Sequence, residues 1–501
     1  MKRFLVLALL FAAFSCKKDL PEAERQTYYA NLFAYNVMNS YYLWNQEMAA
    51  GINDWSTLED PVAKVKSLRY KDAAGNEVDR WTELMEDCSP FVDAITGNGK
   101  TYGMEFVLYR SGSEGDVVMV ITFTYQDSPA QKAGLVRGDI VTALDGKKLT
   151  MDNYQAVLSE KIYDYPTTIK LSLHGGRTVS MTATEMYANP VHTAKTLRVG
   201  GKKIGYLHFC NFTLDACEAL VETFRQFKVE GIEELILDLR YNTGGYAQTA
   251  QVLGSLIAPP SVVAQNAVFN RDVYNKELSA SMDVETRFAE SFTLPLSGGR
   301  KTLDVGGANP GVKRLWAITT GHSASASESL LCGLMPYMDV TLVGSDTYGK
   351  FCGGYLIQAG DWYNAVDAEK SEIDTAAGKR YTSGWGLYVI ASRYTDCKGI
   401  TRSMPNGIPA DYPATDTPED GVQLGDPSES MLAAVLALAG GVSASPGADS
   451  PAGGPAKASG GAGSRGVAGA SAPPSNASAS PLGGAGATLP FHRPGSGALV
   501  H

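Results

Sequence analysis

The stretch that decides the fold is Leu315-Trp316-Ala317-Ile318-Thr319-Thr320-Gly321-His322-Ser323-Ala324-Ser325-Ala326-Ser327-Glu328. Its first six residues are β-prone and mostly apolar, the pattern of a buried strand. A turn follows, then an apolar helical run over Ala326–Met335 and a further strand over Val340–Val343. A strand that passes into a helix and returns as a strand is the unit of a parallel α/β sheet. Ser325 stands where the helix begins, beside unpaired backbone N–H groups and the positive end of the helix dipole, a setting that stabilises a developing oxyanion. The same spacing also fits a plain helix cap, with Glu328 as the reciprocal partner of Ser325. His322, three residues back on the same turn, reads as structural.

Outward from this stretch the alternation continues. Lys203–Phe209 reads as a strand, Leu214–Val229 as a helix, Leu235–Leu239 as a strand and Tyr246–Ile257 as a helix, with another strand near residues 385–395. Residues 188–440 therefore form an α/β core with mainly parallel strands. The strand at Leu235 ends in Asp238-Leu239-Arg240-Tyr241-Asn242-Thr243-Gly244-Gly245. Glycines there permit positive φ and close backbone approach, and their N–H groups are candidate oxyanion donors. Asp238 and Arg240 read as a structural ion pair. Lys350 follows the strand Val340–Val343 in Thr347-Tyr348-Gly349-Lys350. Burial disfavours a charged amine, and a neutral amine can accept a serine proton. Asp426-Pro427-Ser428-Glu429 reads as an N-cap for a helix running to about Ala439.

Residues 96–187 are β-rich, with strands at Gly103–Leu108 and Val117–Phe123, a short helix at Ser128–Gly134, an Asp145-Gly146 turn, a helix over Asp152–Lys161 and a closing hairpin around Gly175-Gly176. Residues 17–95 read as an N-terminal helical domain that caps the rest. Residues 441–501 are Gly, Ala, Ser and Pro with few charges, a composition that buries too little apolar surface to order itself. Residues 1–16 have a basic start, a short apolar run and Cys16 at a lipoprotein-like cleavage box, so they read as a signal peptide with lipidation at Cys16. The expected location is the cell envelope, with the lipid anchor in the outer membrane. The net charge of −10 argues against nucleic acid as a partner. Six cysteines remain after Cys16; no Cys/His grouping has zinc-ligand spacing, and no metal or organic cofactor is implied.

With these motifs in hand, the sequence resembles the C-terminal processing, or tail-specific, serine proteases. Ser323-Ala324-Ser325-Ala326-Ser327-Glu328 matches the family's serine segment, Lys350 falls at the position of its Gly-Lys base, and residues 238–245 resemble its strand-to-glycine element. Ser128–Ile140 is similar to the family's PDZ segment, which begins Ser-Pro-Ala-x-x-Ala-Gly-Leu-x-x-Gly-Asp. The resemblance spans roughly residues 100–440 and implies a crotonase/ClpP-like α/β core behind a PDZ-like domain. It implies Ser325 as nucleophile, Lys350 as general base, and an oxyanion hole from Ala326 and the Gly244-Gly245 turn. It also implies that Tyr102, Gly103, Met104, Glu105 and Phe106 form the loop that captures a substrate carboxylate. Two positions depart from the pattern. Pro336 stands where some members have Asp, and Gly354 stands where others have a Gln that orients the lysine, so the third catalytic member is unassigned.

The function expected on these grounds is an exported serine endopeptidase that recognises protein or peptide substrates by accessible C-termini. A catalytically inactive PDZ-bearing envelope lipoprotein that binds peptides is the alternative. An enzyme acting on acyl thioesters on the same core is a more distant one, since that chemistry needs neither the Ser–Lys spacing nor the PDZ segment.

Overall fold

A computed structural model describes residues 20–111, 115–163, 168–371, 373–400, 402, 404–441 and 479–481. The signal segment with Cys16 lies outside the described residues, as does most of the low-complexity tail. Of that tail, Ala479–Pro481 pairs antiparallel with Met104–Ser111, Pro481 lying opposite Tyr109.

The core is a six-stranded sheet in the order Val191–Val199, Lys202–Phe209, Glu234–Asp238, Arg314–Thr319, Asp339–Gly344, Tyr412–Pro413. Only the first pair is antiparallel; the rest run parallel, as the alternation predicts. Parallel strands are covered on both faces and so read as continuous apolar runs. Leu235, Ile236 and Leu237 show this: their side chains alternate between two faces, yet all three are fully buried. One face packs the helices Ala216–Glu230, Ala247–Ile257 and Ala326–Leu334 through Leu220, Phe224, Leu253 and Leu330. The other packs the helix Ser430–Ala439 through Met431, Leu432 and Val435.

That last helix starts later than the sequence predicts. Its N-cap is Glu429, whose carboxylate accepts from the N–H groups of Met431 and Leu432. The Asp426 carboxylate instead closes a local turn through Ser428. Glu429 is held in place because it also pairs with buried Arg240.

The strand expected near residues 385–395 is present, and it centres a second sheet that the sequence did not indicate. Gly386–Thr395 is its centre and pairs antiparallel with Glu83–Met85, Val268–Tyr274 and Cys352–Gln358. Strand Glu83–Met85 belongs to the segment expected to be helical. The N-terminal helices Glu22–Tyr41 and Pro61–Ser67 cover this sheet, so Phe33, Val37 and Trp81 share one core with Tyr355, Trp362, Leu387 and Ile390. The N-terminal segment is thus a helical cap without a separate core of its own. The PDZ-like module has its own core, centred on Met119, Ile121, Val141, Leu144 and Ile169. The short helix expected at Ser128–Gly134 is present as Pro129–Lys132, and the Ser128 side chain caps it.

Candidate active site

Ser325 sits at the junction of strand Arg314–Thr319 and helix Ala326–Leu334, at φ 56° and ψ −109°. Positive φ is costly for a residue with a Cβ, so the surroundings must hold it there. Three contacts do so. Ser325 N–H donates to Glu328 Oε2 (2.9 Å), Ala324 N–H donates to Asn242 O (3.1 Å), and Tyr394 Oη donates to Ser325 O (2.8 Å).

Glu328 is fully buried and serves far more than the helix cap. Its Oε2 accepts from the N–H groups of Ser325 and Lys350 (2.8 Å), and its Oε1 from Gly349 N–H (2.7 Å) and Thr347 Oγ1 (2.5 Å). Burial pushes its pKa up, against the pull of these four donors. The structure therefore brings Ser325 and Lys350 together through one carboxylate.

Lys350 is 1% exposed. Its Nζ lies 5.2 Å from the ring centres of both Trp81 and Tyr388 and 3.4 Å from Tyr388 Oη. Burial is the main cause that lowers its pKa to about 8, with nearby Arg80 adding a smaller push in the same direction. An amine near neutrality is what proton abstraction from a serine requires.

Gly354 is one of the two positions that depart from the resembled pattern. A Cβ there would lie 2.7 Å from Tyr388 Cζ and 2.9 Å from its Oη. The missing side chain leaves room for the Tyr388 phenol, and that phenol reaches Lys350 Nζ. Tyr388 and Tyr394 were both missed. They lie on the strand Gly386–Thr395, six residues apart, and the even spacing that puts strand residues on one face was the available signal.

The Gly244-Gly245 turn packs directly on the serine. A Cβ at Gly244 (φ +112°) would lie 2.9 Å from Ser325 Cβ and 3.1 Å from Ala326 N. Asn242 fixes the turn: its Nδ2 donates to Phe209 O (2.8 Å) and its Oδ1 accepts from Gly244 N–H (2.9 Å). The Gly244 N–H is therefore already engaged and is not the open donor expected of it. Among the described residues, the N–H groups of Ala326 and Gly245 make no hydrogen bond of their own.

The turn is also wired to the PDZ-like module. Arg137 of that module donates to Tyr241 Oη (2.7 Å), Val422 O (3.0 Å) and Thr122 O (3.2 Å), and it pairs with Asp416 (2.5 Å). Arg240 joins Asp238, Asp416 and Glu429, which bears out the expected Asp238–Arg240 pair and extends it. Burial alone raises the pKa of Asp416, but Arg240 and Arg137 outweigh it and hold the carboxyl below its usual range.

At the expected peptide loop, Tyr102 is buried, and Gly103 (φ +71°) donates its N–H to Thr101 Oγ1 (3.0 Å). Met104, Glu105 and Phe106 open the strand Met104–Ser111. Tyr125 Oη donates to the Glu105 carboxylate (3.3 Å). His322 is exposed and its N–H bonds within its own turn.

Residues 203–413 match peptidase family S41, and residues 120–162 match the PDZ domain. A carboxyl-terminal-processing protease of Synechocystis sp. is 28% identical over 233 residues, covering 44% of this chain and 47% of the relative. The carboxy-terminal processing protease CtpB of Bacillus subtilis is 25% identical over 276 residues, covering 54% of this chain and 50% of the relative. The chain spans about half the length of these curated relatives. A solved structure from Bacteroides fragilis assigned to the S41 proteases has the same fold, with a TM-score of 0.60 at 21% identity over 82% of this chain and 97% of that one. The residues that join Ser325 to Lys350 thus lie within the segment that matches peptidase family S41, and a segment that matches the PDZ domain precedes them.

Proposed function

We propose that the protein is an exported serine endopeptidase of the C-terminal processing type, in which Lys350 activates Ser325. The observation that carries this reading is the shared anchorage of the two residues on Glu328 Oε2, with a lysine whose pKa burial lowers to about 8. Neutral Lys350 takes the Ser325 Oγ proton as the oxygen attacks the scissile carbonyl. The N–H groups of Ala326 and Gly245 hold the oxyanion. The Lys350 ammonium then returns its proton to the leaving amine, and the acyl-enzyme forms. A water enters, gives its proton to Lys350, and hydrolyses the ester to free Ser325. Tyr388 Oη keeps Nζ directed at the serine in place of the absent Gln.

The PDZ domain offers residues 104–108, the part of strand Met104–Ser111 that lies outside the pairing with Ala479–Pro481, to a peptide, and the loop at Tyr102–Phe106 receives its carboxylate by strand addition. The signal-like residues 1–16 and Cys16 support export and lipid anchoring in the cell envelope. The test is cleavage of an unstructured polypeptide by the mature chain beside Ser325→Ala and Lys350→Ala, with free and amidated C-termini. Loss of cutting in both variants and slower cutting of the amidated substrate support the reading. Cutting that survives Ser325→Ala overturns it. An inert wild type that still binds free C-termini favours the peptide-binding lipoprotein instead.

A further inference from the structure

We propose that Arg80 is a carboxylate-binding subsite at the wall of the Ser325–Lys350 site, an inference that rests on the peptidase reading and adds a substrate class to it. The Arg80 guanidinium lies between two rings, 4.8 Å from the centre of Trp81 and 4.9 Å from that of Tyr348. These rings belong to the site itself. Trp81 stacks over Lys350 Nζ, and Tyr348, two residues before Lys350, bonds through its N–H to Ser323 O (3.0 Å).

Arg80 is only partly exposed, and its Nε and Nη2 are buried with no hydrogen-bond partner. Together these atoms form the side-on edge of the guanidinium fork, the edge that matches the two oxygens of a carboxylate. A buried charged donor without an acceptor is costly, so the edge is primed for one. The chain's own carboxylates near Lys350 are committed elsewhere. Asp79 accepts from Trp81 N–H (3.0 Å), Thr82 N–H (3.0 Å) and Tyr42 Oη (2.8 Å), while Glu328 is saturated by the four donors described above. The acceptor that fits is therefore one brought by a substrate. Trp81 lies against both the Arg80 guanidinium and Lys350 Nζ.

The carboxylate has two possible sources, an Asp or Glu side chain near the scissile bond or the free terminus of a short peptide. Binding to the full chain carrying Ser325→Ala separates them. The probes are alanine-rich hexapeptides with one Glu at each position in turn, their Gln counterparts, and each with a free or amidated C-terminus. Expected is a preference of about tenfold or more for the carboxylate form, abolished by Arg80→Gln and not restored by Arg80→Lys, which keeps the charge but lacks the fork. Loss on Glu-to-Gln replacement assigns a side chain, and loss on amidation assigns the terminus. An amidation penalty that persists in Arg80→Gln belongs to the PDZ domain. A carboxylate preference equal in wild-type and Arg80→Gln backgrounds, or none in either, overturns the proposal. Binding of the neutral peptides and an unchanged Tm show that Arg80→Gln is folded; if it is not, the Arg80→Lys comparison decides alone. Cleavage by wild type is scored separately, so failure of this subsite and failure of the peptidase reading are distinguishable.

Discussion

Ser325 and Lys350 are held by the same two groups: both N–H groups donate to Glu328 Oε2, at 2.9 and 2.8 Å, and both carbonyl oxygens lie 2.8 Å from the Tyr394 hydroxyl. The hydroxyl proton is shared between the two carbonyls. Nucleophile and base are thus fixed relative to each other by backbone contacts, independently of their side chains. This is the kind of preorganisation that makes a proton transfer geometrically ready before substrate arrives.

Glu328→Gln keeps the size of the side chain but turns one acceptor oxygen into a donor facing two N–H groups. The expected result is a fall in kcat of tenfold or more and a loss of roughly 1–3 kcal/mol of stability, read by steady-state kinetics and denaturant unfolding. Wild-type kcat in this variant would mean that Glu328 is only a helix cap.

The pH profile of kcat/KM should rise through about pH 8, because the reactive form of Lys350 is the neutral amine and its pKa is lowered to about 8. The wild-type profile is compared with that of Arg80→Gln. Removing the nearby positive charge should move the midpoint upward. A profile flat from pH 6 to 9 counts against Lys350 as base.

Lys350→Met should inactivate the enzyme and stabilise it. The folded pKa of about 8 lies below the ordinary 10.5, so below pH 8 the native state carries a charge it disfavours. The wild type regains that stability as pH rises from about 8 to 10.5, where only the unfolded chain stays protonated. The gain from Lys350→Met is thus on the order of 3 kcal/mol below pH 8 and shrinks toward pH 10, as urea unfolding at several pH values will show.

Tyr388→Phe removes the hydroxyl that reaches Lys350 Nζ and leaves the ring in place. We expect kcat to fall about tenfold with KM and Tm little changed. Gly354→Ala should cost both activity and stability, since its Cβ would press on the same ring. If Tyr388→Phe is fully active, the phenol only fills space.

Arg137→Met deletes the guanidinium that joins the PDZ domain to Tyr241 and Asp416. It leaves Asp416 and Glu429 with Arg240 alone, and breaking a buried ionic group from one side typically costs about 3–5 kcal/mol. Faster hydrogen exchange across residues 120–162 than in wild type would accompany that loss. Unchanged protection would place the PDZ contact elsewhere.

The sequence by itself determined the alternating core, the serine turn, the lysine 25 residues later and the short helix near Ser128–Gly134, because each depends on local periodicity, turn chemistry or a contiguous motif. It could show Glu328 only as a cap, because a capping box is local while its bonds to Thr347, Gly349 and Lys350 cross about twenty residues. Tertiary structure alone decided the pairing of the second sheet, whose strands come from residues 83–85, 268–274, 285–287, 352–358 and 386–395. That sheet supplies Tyr388 and Tyr394, and its N-terminal cap supplies Arg80 and Trp81. Which of the two turn glycines keeps an open N–H was likewise settled only by the fold, through the side chain of Asn242. The physical reason is the same in each case. Such contacts are made by groups far apart in sequence, and nothing in the local pattern of either partner records the other.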